Sequence, residues 1–317
     1  MTGDPRQLTV LGWDQDWAEQ FASLPGAPAR VIRVDRGAVR ALGPGGALSA
    51  VPAVGSTVVT GDWIAVACDT DGAATVAGIA ARRTALVRRD PRPEPAPQVL
   101  AANVDEVWVL QAVDQPLRAG WLDRALVVAY GSGATPLVVV TKADLRAGGA
   151  DAIVAAACAM SPHTGIMVTS TVAGEGIAAL AEHLHGGRSV ALLGRSGSGK
   201  SSLVNALAGQ AAQATAAVRG GDARGRHTTT RRALVPVAGG SVIDTPGVRA
   251  LGLWEADAGL DGAFPDIAAL APHCRFNDCG HDHEPGCAVQ RARDEGALPA
   301  ERYLRYLTLR RESLHES

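Results

Sequence analysis

The chain has 317 residues, 47% of them apolar and 20% charged, with a net charge of −2; this is the make-up of a globular protein with two or three compact units. No apolar run approaches the roughly 20 residues of a membrane-crossing helix, and the odd count of five cysteines speaks against a disulfide framework. The early acidic residues Asp4, Asp14, Asp16 and Glu19 do not make a secretory leader, so a cytoplasmic chain without a membrane partner is expected.

Residues 1–29 carry Trp13 and Trp17 but are interrupted by Pro25 and Pro28, and read as an arm. Over 30–90, the runs Val31–Val34, Val58–Val59, Trp63–Val66 and Thr75–Ile79, separated by Gly, Pro and Asp, predict short strands of a small barrel. Residues 91–104 begin with alternating prolines and read as a stiff linker. From 105 to 253 the texture becomes strand then helix. Val107–Leu110, Leu137–Val140, Ile166–Thr169 and Val190–Leu193 predict buried parallel strands, and Trp121–Tyr130, Ala150–Met160 and Gly176–His185 predict helices between them. This is the pattern of an α/β sheet covered on both faces. Residues 254–317 break the pattern and end in a predicted helix over Leu298–Ser313. Cys68 and Cys158, in alanine-rich surroundings, read as small core residues.

Among thirty basic residues only Lys142 and Lys200 are lysine. Each falls in a nucleotide-recognition pattern where a compact ammonium serves better than a planar guanidinium. Gly194, Arg195, Ser196, Gly197, Ser198, Gly199, Lys200, Ser201 and Ser202 follow an apolar run and open a helical one. That is the strand, glycine loop and helix a phosphate loop requires, with backbone N–H groups around the β-phosphate, Lys200 on the β- and γ-phosphates, and Ser201 on Mg²⁺. Downstream, Asp244-Thr-Pro-Gly247 ends an apolar run; Asp244 is expected on Mg²⁺ and the Gly247 N–H near the γ-phosphate. Between them His227, Thr228 and Thr229 lie in a polar, glycine-bearing stretch, with one threonine expected to reach Mg²⁺.

Thr141, Lys142, Ala143 and Asp144 are close to the guanine-reading tetrapeptide of GTPases, and here precede the phosphate loop instead of following it. A buried Asp144 would pair with the N1 and N2 donors of guanine and be left unpaired by adenine. The Lys142 stem would cover the base, and Ser170 would add a contact from the next strand end. Thr141 offers a hydroxyl where an asparagine amide is usual, a departure that bears on the link between base and phosphate loop. Val248 follows Gly247, where many GTPases place the glutamine that orients water. Slow intrinsic hydrolysis is therefore expected, raised by a partner, with His227 the nearest residue able to position the water.

Cys274, Cys279, His281 and Cys287 supply three thiolates and one imidazole within a loop-rich stretch, the donor set of a closed structural zinc site. His273 and His283 are neighbours able to replace His281. Arginine clusters at 82–92, 219–232 and 302–311 could face RNA or simply water. Six Trp, three Tyr and three Phe are too few for base-after-base stacking, so any RNA is expected to be held through phosphates and shape.

Taken together, Gly61-Asp-Trp63, Gln98–Asp105, Thr141–Asp144, Gly194–Ser202, Gly225–Thr230, Asp244–Gly247 and the Cys/His set resemble the circularly permuted, ribosome-dependent GTPases of the RsgA (YjeQ) family. The resemblance covers nearly the whole chain. It implies an N-terminal OB-type β-barrel, a permuted P-loop GTPase core and a C-terminal zinc-binding, mainly helical domain. It implies GTP or GDP, Mg²⁺ and Zn²⁺ as ligands, the small ribosomal subunit and its rRNA as partners of a monomer, and GTP hydrolysis coupled to release late in subunit maturation. Two other readings are an RNA-binding placeholder whose turnover is incidental, and an ATP-using kinase, against which Asp144 speaks.

Overall fold

The computed structural model describes residues 5–70, 72–90, 96–145, 148–209, 232–245 and 251–314. A 3-10 segment, Pro5–Leu11, leads into helix α1 (Gln15–Phe21), whose first turn is capped by the Asp14 carboxylate accepting the Trp17 N–H at 3.0 Å. The N-terminal segment does not hang free as an arm. Trp17 is 2% exposed, Trp13 meets the Trp63 ring edge-on at 5.1 Å, and Arg83 stacks over Trp17 while pairing with Asp14. Burying such rings contributes about 1.5–3 kcal/mol each, enough to hold a short helix that would not persist in isolation.

Strands β1 (Ala27–Asp35), β2 (Ala38–Gly43), β3 (Gly46–Ala50), β4 (Trp63–Cys68) and β5 (Ala74–Ile79) form an antiparallel sheet in the order β3-β2-β1-β4-β5. A parallel bridge from Val51 to Thr75 brings the end of β3 against β5 and turns the sheet back on itself. Val58 and Val59 are not a strand: Asp62 accepts the Val59 N–H at 2.8 Å in a tight connection. β2 and β3, rich in Ala and Gly, gave no β-branched run to read. Cys68, at the end of β4, is exposed instead of buried.

β6 (Ala85–Arg89) pairs antiparallel with β7 (Pro97–Ala102), so a strand occupies much of the stretch expected to be linker. Next come β8 (Glu106–Ala112), α2 (Ala119–Gly131), β9 (Thr135–Thr141), α3 (Gly149–Met160), β10 (Gly165–Val168), α4 (Ile177–Glu182), β11 (Ser189–Gly194), α5 (Lys200–Gly209), β12 (Ala233–Val237) and β13 (Gly240–Asp244). They build a six-stranded sheet ordered β10-β9-β8-β11-β13-β12, parallel except for β12. Every residue of β8 and β11 is buried, as expected of central strands with both faces covered. α3 buries only Ala157; Cys158 beside it is exposed, because small alanines lend an apolar composition without requiring burial.

Helices α6 (Asp257–Ala263), α7 (Pro265–Leu270), α8 (Ala288–Asp294) and α9 (Ala300–Leu314) complete the described chain. Their apolar residues join those of α2, β8 and β11 in one continuous core. Ion pairs line the seam: Arg124 grips Glu312 through hydrogen bonds of 2.5–2.9 Å and Arg305 lies 3.6 Å from Asp123, while the buried Arg302 forks onto Asp266 within the C-terminal helices at 2.6 and 2.7 Å and donates across to the Met160 carbonyl at 2.7 Å.

Candidate functional site

In a parallel sheet the crevice beyond the carboxyl ends of the strands is where ligands gather. Here β11 runs into the glycine loop, β13 ends at Asp244, β9 ends at Thr141, and Ser170 follows β10. The motif residues therefore converge from four strand ends.

The glycine loop needs its glycines. Gly197 and Gly199 have φ of +79° and +89°, and a Cβ on Gly194 would lie 2.3 Å from the Ser198 hydroxyl oxygen. Lys200, 7% exposed, donates to the carbonyls of Gly194 at 2.8 Å and Arg195 at 3.0 Å, curling over its own loop. Burial lowers its pKa, while the negative charge of Asp244 works the other way. An ammonium held by neutral carbonyls would make stronger, charge-assisted bonds with anionic oxygens. Asp244 is itself 5% exposed, and Thr245 donates to the Leu192 carbonyl at 2.5 Å, binding the end of β13 to β11. Ser201 is in the first turn of α5, at its positive dipole end. His227, Thr228, Thr229, Gly247 and Val248 lie outside the described residues.

At the other end of the crevice, Thr141 is buried and its hydroxyl donates to the Ser198 carbonyl at 2.8 Å. The threonine thus makes the link between the base-side strand and the glycine loop that its departure from asparagine had brought into question. Lys142 takes a left-handed backbone, φ +60°, and its ammonium meets Asp114 at 2.8 Å. The Ala143 N–H donates to Thr169, and Asp144 accepts from the buried Ser170 hydroxyl at 2.5 Å. Asp144 is exposed, not buried as expected. Sequence reasoning missed Asp114 and Gln115. Their only sequence signal is a polar Asp114-Gln-Pro116 turn shortly after a mostly apolar strand.

The second cluster lies in the C-terminal region. The donor atoms of Cys274, Cys279, His281 and Cys287 all fall within 4.8 Å of one another. His281 Nδ1 is 3.5 Å from both Cys274 Sγ and Cys287 Sγ, which are 3.8 Å apart. Zn–S bonds of about 2.3 Å and Zn–N bonds of about 2.0–2.1 Å give tetrahedral edges of about 3.8 Å between sulfurs and about 3.5 Å between sulfur and nitrogen. The three edges among Cys274, His281 and Cys287 thus match zinc with Cys279 close by, and His281, not His273 or His283, belongs to the set. Backbone N–H groups of Ala288 and Gln290 reach Cys274 and Cys287 at 3.4 Å, as suits thiolates at a helix start. α9 holds the loop from behind: Tyr303 donates to the His281 carbonyl at 2.7 Å and Arg310 to the Cys279 carbonyl at 2.9 Å.

Residues 79–254, more than half the chain, match the model of a family described as RsgA GTPase. The chain belongs to the RsgA GTPase family. Over 96% of its length it is 43% identical to the small ribosomal subunit biogenesis GTPase RsgA of Streptomyces coelicolor, covering 86% of that protein. It is 40% identical to the RsgA of Opitutus terrae, with 97% and 90% covered. Among solved structures it resembles YjeQ from Thermotoga maritima, with a TM-score of 0.67, 25% identity, and 91% and 98% of the two chains covered. The fold is also that of YloQ, described as a circularly permuted GTPase, with a TM-score of 0.65. The permutation is visible in this RsgA family member as the order of its strands: β8, β9 and β10, whose ends lead to Thr141–Asp144 and Ser170, precede β11 and β13, whose ends lead to the glycine loop and Asp244.

Proposed function

We propose that this chain hydrolyses GTP with Mg²⁺ and acts in maturation of the small ribosomal subunit, binding its rRNA as a cytoplasmic monomer. The observation that carries the reading is the 2.8 Å bond from Thr141 to Ser198, which joins a guanine motif to a phosphate loop in one crevice. In this reading the loop from Gly194 to Ser202 cradles the phosphates, with Lys200 on the β and γ positions. Asp144 and Ser170 read the base edge, Lys142 covers its face, and Ala143 shapes the turn between them. Ser201 and Asp244 would hold Mg²⁺, which supplies charge neutralisation at the bridging and terminal phosphate oxygens. Thr228 or Thr229, His227 and the Gly247 N–H complete the γ-phosphate side, with His227 offered as the group that orders water in place of a glutamine.

Cys274, Cys279, His281 and Cys287 would hold one structural Zn²⁺, leaving no position open for catalysis. The N-terminal sheet, with its β3-to-β5 closure, supports an OB-type barrel. Hydrolysis titrated with small ribosomal subunits over a range of salt tests the proposal. A large rise that weakens with salt is expected; a rate indifferent to subunits would overturn the partner-gated reading.

A further inference from the structure

The loop between β8 and α2 touches both ends of the crevice. Asp114 is 2.8 Å from the Lys142 ammonium, and the Gln115 side-chain amide donates to the Ser196 carbonyl at 3.0 Å. The loop is itself tied down. Gln111, 3% exposed, donates to the carbonyls of Ala112 and Gln115, both at 2.9 Å, and the Val113 N–H donates to the Thr141 carbonyl at 3.0 Å. Gly197 leaves the room this needs, because a Cβ there would come within 3.1 Å of Gln115 Nε2.

We infer that residues 113–117 form a positioning strap in which Asp114 orients the base-covering lysine and Gln115 steadies the tip of the phosphate loop. A lysine loses much rotamer freedom on being fixed, so a carboxylate that restrains it beforehand lowers the cost of closing the stem over a base. The Gln115 bond, at the Ser196 carbonyl, restrains a loop whose N–H groups must all point one way. The inference rests on the guanine-nucleotide reading of the crevice and adds two positioning residues to it.

The test measures GDP and GTP dissociation rates, KM and kcat for Asp114→Asn, Gln115→Ala, their double variant and Asp114→Glu, with thermal unfolding as the control on folding. Each single change should speed dissociation and raise KM about 2- to 5-fold, the effect of losing one partly exposed polar pair. The double variant should show a larger change, kcat at saturation should hold, and Asp114→Glu should recover part of the loss. The preference for guanine over xanthine should not move, since Asp144 is untouched. Wild-type dissociation rates in all folded variants would overturn the strap, as would a fall in kcat with KM unchanged. Failure of the unaltered protein to bind GDP or GTP would instead remove the nucleotide reading itself, and the strap with it.

Discussion

The nucleotide crevice and the Cys3His cluster are built on opposite plans. The cluster draws its four donors from fourteen consecutive positions, Cys274 to Cys287, so one short loop nearly encloses a site. The crevice collects residues from strand ends that lie from 114 to 244 in sequence and relies on a six-stranded sheet to bring them together. A local site with so little secondary structure of its own depends on its ligand for stability; a site assembled by a sheet is preformed and loses function, not structure, when one residue changes.

The largest expected effect follows from that contrast. Stripping metal by chelation, or Cys287→Ser, should unfold the 271–299 region at a cost of several kcal/mol, given zinc-finger binding energies of about 10–16 kcal/mol. Circular dichroism and metal analysis would read it, and a fold unchanged after complete metal removal would erase the distinction. Lys200→Ala should leave the sheet intact yet weaken triphosphate binding about 100-fold, roughly the 3 kcal/mol of charge-assisted bonds lost. If that variant unfolds instead, the crevice is less preformed than its sheet suggests.

Asp123 lies on the seam between the two regions, and burial pushes its carboxyl up to about 6, with Arg305 opposing. A carboxyl raised above its unfolded value stabilises the fold at low pH and loses that contribution as pH rises through the folded value. Asp123→Asn should therefore be more stable than the natural chain above pH 6, by roughly 1–3 kcal/mol, with the gap closing below pH 4. Denaturant unfolding at pH 4 and pH 7.5 would show it, and an unchanging gap would remove the titration argument. Smallest of all, Thr141→Ala should weaken nucleotide binding about 5-fold through loss of one neutral hydrogen bond of about 1 kcal/mol. A null result by fluorescence titration would make the link to Ser198 incidental.

Much of the fold is legible in the sequence. The glycine loop from Gly194 to Ser202, the Thr141–Asp144 turn and the Cys3His set are each contiguous or nearly so, because the chemistry expected of them demands fixed residue types at fixed spacing. The parallel strands announced themselves as unbroken apolar runs. The failures share a cause. Trp13 and Trp17 read as an arm because proline interrupts the run; their partner, Trp63, is distant in sequence. Composition puts Cys68 and Cys158 inside, but it does not tell which side of a strand or helix faces water, and both are exposed.

By itself the sequence determined which chemistry the chain carries and the order in which its parts occur, since glycine, lysine and thiol requirements are local. Tertiary structure decided what those parts touch. It placed the Thr141 hydroxyl on Ser198, set Asp114 beside Lys142, selected His281 from three histidines, and bolted α9 to α2 through Arg124 and Glu312. Each of these is a contact whose distance is set by sheet order and packing, which no spacing along the chain encodes.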